Sequence, residues 1–100
     1  MKRIAIPVTN GTLSEYFGDC NHYEIFEIDR NTIINNEIDK PERKELMKLP
    51  EWITQMNITD VIAYKIEASI IDSLSGKKID FFIGIPMKTP KKITSISMLM

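Results

Sequence analysis

One cysteine in 100 residues is too few for an internal disulfide framework. It also excludes a zinc finger, or an iron–sulfur cluster held entirely by the cysteines of one chain. There is a single histidine, His22. No apolar run approaches the roughly 20 residues that a membrane-spanning helix needs. The opening Met1-Lys-Arg-Ile-Ala-Ile-Pro is basic and then apolar, but Pro7 and Asn10-Gly11 cut it too short for a secretory leader. We therefore expect a cytoplasmic protein without membrane contact. The chain has no P-loop, no Gly-x-Ser-x-Gly elbow and no paired carboxylates at inward strand positions. Hydrolase and nuclease chemistry is therefore not expected, and we read the chain as a non-enzyme. Net charge is −1, which gives no bulk attraction to nucleic acid. From residue 77 onward, however, five lysines stand against Asp80 alone. That segment is either a solvated face or a weak anion-attracting rim.

What the chain does have is an ordinary globular balance, 43% hydrophobic and 27% charged, in a length that makes one domain, residues 1–100. Residues 3–8 form an apolar run rich in β-branched side chains and read as a buried strand. Residues 23–29 and 32–37 are two more strands, joined by a short turn at Arg30-Asn31. Residues 39–44 are charged, contain Pro41 and read as loop. Leu46, Leu49, Ile53 and Met56 share a helical face. Pro50 fits the first turn of a helix ending near Met56, with Asn57 as a left-handed stop. Residues 60–64 are a short buried strand. Ile66, Ile70, Ile71 and Leu74 predict an amphipathic helix ended by Gly76. Residues 79–83 are a fifth strand. Thr89 then caps a last helix, with Pro90 at its first position and Ile93, Ile96 and Met100 on its inner face. There are no internal repeats or low-complexity segments. The order β-β-β-α-β-α-β-α predicts a three-layer α/β domain. Its first three strands form an antiparallel meander, and strands one, four and five run parallel.

In an open α/β sheet, ligands sit past the carboxyl ends of the parallel strands. Here those ends are Val8-Thr9-Asn10, Tyr64-Lys65 and Gly84-Ile85-Pro86. The loop after strand one overhangs the same edge. Asn10, Tyr16, Asp19, Cys20, His22 and Lys65 can converge there. Cys20 follows Phe17-Gly18-Asp19 in a polar loop, so we expect it at the surface of the cleft edge. As a thiolate it is a soft metal ligand; as a thiol it is a small apolar filler. His22 is either a nitrogen ligand or a surface histidine at the start of a strand. Tyr16 and Phe17 can wall a pocket, with Phe17 also suited to folding the loop onto the sheet.

The strand Ile4-Ala-Ile-Pro-Val8, the Asn10-Gly11 loop, the turn Phe17-Gly-Asp-Cys20 and the strand Tyr23-Glu-Ile-Phe-Glu-Ile-Asp29 resemble the dinitrogenase iron–molybdenum cofactor biosynthesis family. This family includes NifX-like proteins and the small C-terminal domain of NifB. The resemblance continues through Thr59-Asp-Val-Ile-Ala63 and Ile79-Asp-Phe-Phe-Ile-Gly84. It implies a ribonuclease H-like fold with a five-stranded mixed sheet in the order 3-2-1-4-5, flanked by helices. It also implies a protein that binds or carries an iron–sulfur or iron–molybdenum cluster. Cys20 and His22 would then be metal ligands, Tyr16, Asn10 and Lys65 neighbours of the cofactor, and a cluster donor or acceptor protein the partner.

Two departures from the family pattern bear on binding. The family turn has histidine directly before Phe-Gly, where this chain has Tyr16. A phenol is a poor substitute for imidazole toward a reduced iron cluster. After the fourth strand the family has a Gly-Gly-Ile-Gly turn, which lets backbone N–H groups approach an anion. This chain has Tyr64-Lys65-Ile66-Glu67. Glu67 is expected to act on the helix dipole, and Lys65 to restore one positive contact as a flexible point charge. Two readings follow: a non-catalytic cluster carrier, or a divergent relative that acts as a protein-interaction module. Six methionines, Met87, Met98 and Met100 among them, suit either an adaptable contact surface or core filling. Oligomeric state is left open at this point.

Overall fold

The computed structural model describes residues 1–40 and 49–84. Six strands form one mixed sheet: β1 (Lys2–Thr9), β2 (Thr12–Leu13), β3 (His22–Asp29), β4 (Thr32–Asp39), β5 (Asp60–Ala63) and β6 (Asp80–Ile83). Two short helices, α1 (Leu49–Gln55) and α2 (Ala68–Ser73), connect the second half. The strand path is β4-β3-β1-β5-β6, with β2 paired to β1 off this path. β1 is antiparallel to β3 and parallel to β5, and β5 is parallel to β6.

The path is the one expected, and among the described residues the sheet has six strands where five were expected. The extra strand is β2, which pairs Leu13 with Val8 and Thr12 with Thr9. Asn10 and Gly11 both take positive φ, 53° and 81°, as a two-residue hairpin turn of the right twist requires. The same geometry recurs between β3 and β4, where Arg30 and Asn31 have φ of 51° and 63°. β4 runs to Asp39, two residues beyond the expected end, and α2 is shorter than its apolar spacing suggested. Asn57 is left-handed as expected, with φ 56°, and Gly76 closes the α2 segment at φ 87°. Leu46, most of the 39–44 loop and the last helix expected from Thr89-Pro90 lie outside the described residues.

Strand alternation sorts the core into two faces. Ala5, Tyr23, Ile25, Val61 and Ala63 meet Leu49 and Ile53 of α1 and Ile70 of α2, with Leu74 just beyond it. The opposite face gathers Ile4, Ile6, Val8, Leu13, Phe26, Ile28 and Ile62. β1 is buried from Ile4 to Val8 because it lies at the centre of the sheet. Its parallel register to β5 spans Ile4 and Ala5, and Pro7, which has no N–H to donate, lies beyond it.

Arg3 ties the lower edge together. Its guanidinium donates to Met56 O at 2.7 Å and to Glu37 Oε1 at 2.9 Å, and it pairs with Glu27. One side chain thus joins β1, β3, β4 and the end of α1. Hydrogen bonds to charged partners are worth about 1.5–3 kcal/mol where half-buried, less where water competes. Replacing Arg3 with alanine should therefore lower stability by about 1–3 kcal/mol. A urea unfolding midpoint that does not move would remove Arg3 from the account of what holds this edge.

Candidate functional site

β1, β5 and β6 run parallel, so the loop after β1 and the turn after β5 emerge on one edge. The structure brings these two segments into direct contact. Tyr16 forms an isolated parallel bridge with Lys65. The Lys65 N–H donates to Glu15 O at 3.0 Å, and the Phe17 N–H donates to Lys65 O at 2.9 Å. Side chains extend this zipper. The Lys65 ammonium lies 3.4 Å from Glu15 Oε1 and 5.5 Å from the ring centroids of both Tyr16 and Tyr64. The bond to Glu15, and then Tyr16, hold Lys65 above its usual pKa, so it is cationic at neutral pH.

Glu67 makes a contact beyond its expected role. It stands at the N-cap of α2 but makes no side-chain cap hydrogen bond. Its carboxylate instead accepts the Gly18 N–H at 3.1 Å, across 49 positions of sequence. The glycine of the Phe-Gly turn therefore has its amide occupied by an internal anion.

Behind the turn lies an aromatic stack. Phe17 and Tyr23 have ring centroids 5.0 Å apart, and Tyr23 and Trp52 4.6 Å. Trp52 Nε1 donates to Asp39 Oδ2 at 2.5 Å, so the stack ends on a hydrogen bond to the last residue of β4. The Tyr23 hydroxyl donates to Phe17 O at 2.7 Å in the protein interior. Burial first, and then the neighbouring Cys20 thiol, push the Tyr23 phenol far above its ordinary range.

Cys20 corrects the expectation of exposure. It is only 3% exposed and belongs to the core cluster with Phe17 and Tyr23. The physical reason is Phe17, which is fully buried and turns the loop inward, carrying Cys20 with it. Cys20 lies against Tyr23 and contributes to the wall of a shallow depression of about 460 Å³ with Asn10, Ser14, Glu15, Asp19 and Asn21. The depression is polar: Thr9 Oγ1 and Ser14 Oγ are 2.5 Å apart, and the Asn10 N–H donates to Asn21 Oδ1 at 3.0 Å.

The expected site residues are therefore divided. Tyr16, which is 40% exposed, and Lys65 lie side by side at the outer surface. Asn10 and Asp19 border the polar depression with Cys20. His22 is the half-buried first residue of β3, opposite Val8. Among the described residues, no three histidine, cysteine or carboxylate side chains are grouped so as to hold a metal ion. Glu67 and Tyr23 are the contacts that sequence reasoning missed. The only signal for Glu67 was that a negative charge fell at a position where the turn would otherwise be open.

A family model described as dinitrogenase iron-molybdenum cofactor matches residues 1–95. The chain belongs to this cofactor family. Similar solved structures agree in fold. That of the protein PH0822 has a TM-score of 0.87 at 20% identity, covering 96% of this chain and 88% of that one. A dinitrogenase candidate from Methanocaldococcus jannaschii gives 0.79 at 21% identity, with 97% and 88% covered. A NifB candidate from Thermotoga gives 0.73 at 16% identity, with 97% and 88% covered. At these identities the likeness concerns the fold alone. No curated protein matches the chain. Among the described residues no helix is long and apolar enough to cross a membrane.

Proposed function

We propose that this domain is a non-catalytic carrier in metallocluster biosynthesis, handling an iron–sulfur or iron–molybdenum cluster as cargo in the cytoplasm. The observation that carries the reading is the Tyr16–Lys65 bridge, which joins the family's two binding turns at one sheet edge. Family membership supports the cargo class. We read the strand path as the ribonuclease H-like arrangement, used here as scaffold only.

The resting geometry does not offer a ready ligand set. Cys20 is buried, and the Gly18 amide is held by Glu67. Loading therefore begins with the turn at residues 16–20 swinging away from 64–67. Lys65 supplies the positive contact, Tyr16 and Tyr64 form the rim, and Asn10 borders the entrance. With the turn open, Cys20 and His22 are the residues that would hold the cluster. The partner is a cluster donor or acceptor protein, and no nucleic acid is involved.

The closed turn also favours a second reading, in which the domain no longer takes up metal and serves as an interaction module. Anaerobic cluster uptake separates the two, followed by visible absorption and iron analysis. On the carrier reading the parent takes up stoichiometric iron, and Cys20→Ser loses most of it. Replacing both Tyr64 and Lys65 with glycine should speed uptake, because freeing backbone approach at 64–67 outweighs the loss of the one flexible Lys65 contact. A parent and a double-glycine variant that both remain colourless would leave only the interaction module.

A further inference from the structure

β4 is the terminal strand of the path, and among the described residues nothing pairs with its outer edge. It is eight residues long and contains neither proline nor lysine, two of the features that commonly protect such edges. Ile33, Ile34 and Ile38 are 36%, 52% and 63% exposed. Its one irregularity is a bulge. Glu27 pairs with Asn35 and Ile28 with Ile33, which leaves Ile34 as an extra residue.

That bulge changes the phase of the strand. Ile33 lies opposite Ile28, Asn36 opposite Phe26 and Ile38 opposite Glu24, so all three share the face of Phe26 and Ile28. In a regular strand, Ile33 and Ile38 would point to opposite faces. The shift makes the edge self-complementary. Take two β4 strands antiparallel about a two-fold axis at Asn36. Asn36 then meets Asn36, Asn35 meets Glu37, and Ile33 meets Ile38, with Thr32 opposite Asp39. Each of the last three contacts occurs twice, and no like charges face each other. Moving the axis to Glu37 would set two carboxylates directly opposite, which is unfavourable. An open depression of about 370 Å³, lined by Phe26, Ile33, Ile34, Asn35 and Asn36, lies beside the axis and can receive apolar side chains from across it.

We propose that β4 is a homodimerisation edge: a second copy of this chain adds its β4 antiparallel to the first, in the register centred on Asn36. The contact is isologous, so it closes at two copies. It lies along the lateral edge of the sheet, whereas the Tyr16–Lys65 bridge lies past the ends of β1 and β5, with β3 between β4 and β1.

Sedimentation equilibrium of the full chain tests this from micromolar to hundreds of micromolar. The weight-average mass should rise from the 11.6 kDa monomer toward twice that value. Ile38→Lys, at an exposed position, should keep the far-ultraviolet circular dichroism of the parent and weaken association at least tenfold. Asn36→Cys should form an intermolecular disulfide across the axis under mild oxidant, much faster than Ser75→Cys at an exposed site elsewhere. A monomeric mass at every concentration overturns the proposal. So does association that Ile38→Lys leaves unchanged while Asn36→Cys crosslinks no faster than Ser75→Cys.

Discussion

Phe17→Ala will cost about 3–5 kcal/mol of stability and will open Cys20 to thiol reagents. Phe17 is fully buried and packs on Tyr23 at 5.0 Å between centroids, so its removal leaves a cavity where the turn meets the core. The rest of the turn has little else to hold it. Gly18 contributes no side chain, and the remaining ties to 64–67 are a few hydrogen bonds and the exposed Lys65–Glu15 pair. Exposed pairs of that kind are worth less than about 1 kcal/mol. The Phe17 ring, together with the buried bond from the Tyr23 hydroxyl to the Phe17 carbonyl, is therefore the main tie that holds the turn to the core.

The thiol reports this directly. In the parent, Cys20 is 3% exposed and labels only when the turn or the whole domain opens. A loss of 3 kcal/mol or more in that opening equilibrium raises the labelling rate on the order of a hundredfold, since about 1.4 kcal/mol is a factor of ten. Phe17→Leu keeps an apolar side chain there and should lie between parent and alanine in both stability and labelling. If native parent labels as fast as unfolded chain, the buried position of Cys20 is wrong. The carrier reading would then need no opening step.

The same residues show how far the sequence could be read. The strand path was legible because β1 is a continuous apolar run and β3 carries Tyr23, Ile25, Phe26 and Ile28 in a pattern only a covered strand needs. Asn57 and Gly76 announced the ends of helical segments through their tolerance of positive φ. β2 was not legible, since two residues carry no periodicity and Asn10-Gly11 reads equally as a loop. Cys20 was misjudged because its neighbours Gly18 and Asp19 are loop residues, while its burial is set by Phe17 and Tyr23 in three dimensions. The long-range contact of Glu67 was missed for a related reason: local rules assign a carboxylate at a helix start to the dipole and do not reveal that it also accepts a backbone amide 49 residues away. Ile33 and Ile34 were placed in a strand and Ile38 fell just beyond its expected end, and the sequence did not reveal a bulge that gathers Ile33 and Ile38 on one face. Of these features only the Glu67 contact joins segments far apart in the chain; β2, the bulge and the burial of Cys20 arise within short turns and hairpins whose packing the local pattern does not show.

Tyr23 should make the domain lose stability steeply in alkali. In the unfolded chain its phenol ionises near the ordinary value of 10.0, whereas in the fold burial and Cys20 keep it protonated well beyond that. The folded state then binds one more proton than the unfolded state once the pH exceeds 10. Because the folded pKa is raised, the stabilisation is complete below the unfolded value. It is lost as pH rises, at about 1.4 kcal/mol per pH unit for one proton. Tyr23→Phe separates this effect from other alkaline transitions, since Tyr16, Tyr64, Cys20 and the lysines remain in both proteins. At neutral pH the variant should be about 1–3 kcal/mol less stable, because the Phe17 carbonyl loses its buried partner. Above pH 10 the parent falls faster, so the two stability curves should converge and then cross. Denaturant unfolding at a series of pH values reads the difference. If the two curves stay parallel into alkali, Tyr23 ionises without cost in the folded state. The hydrogen bond that fastens the Phe-Gly turn to the core would then not be the buried neutral contact described here.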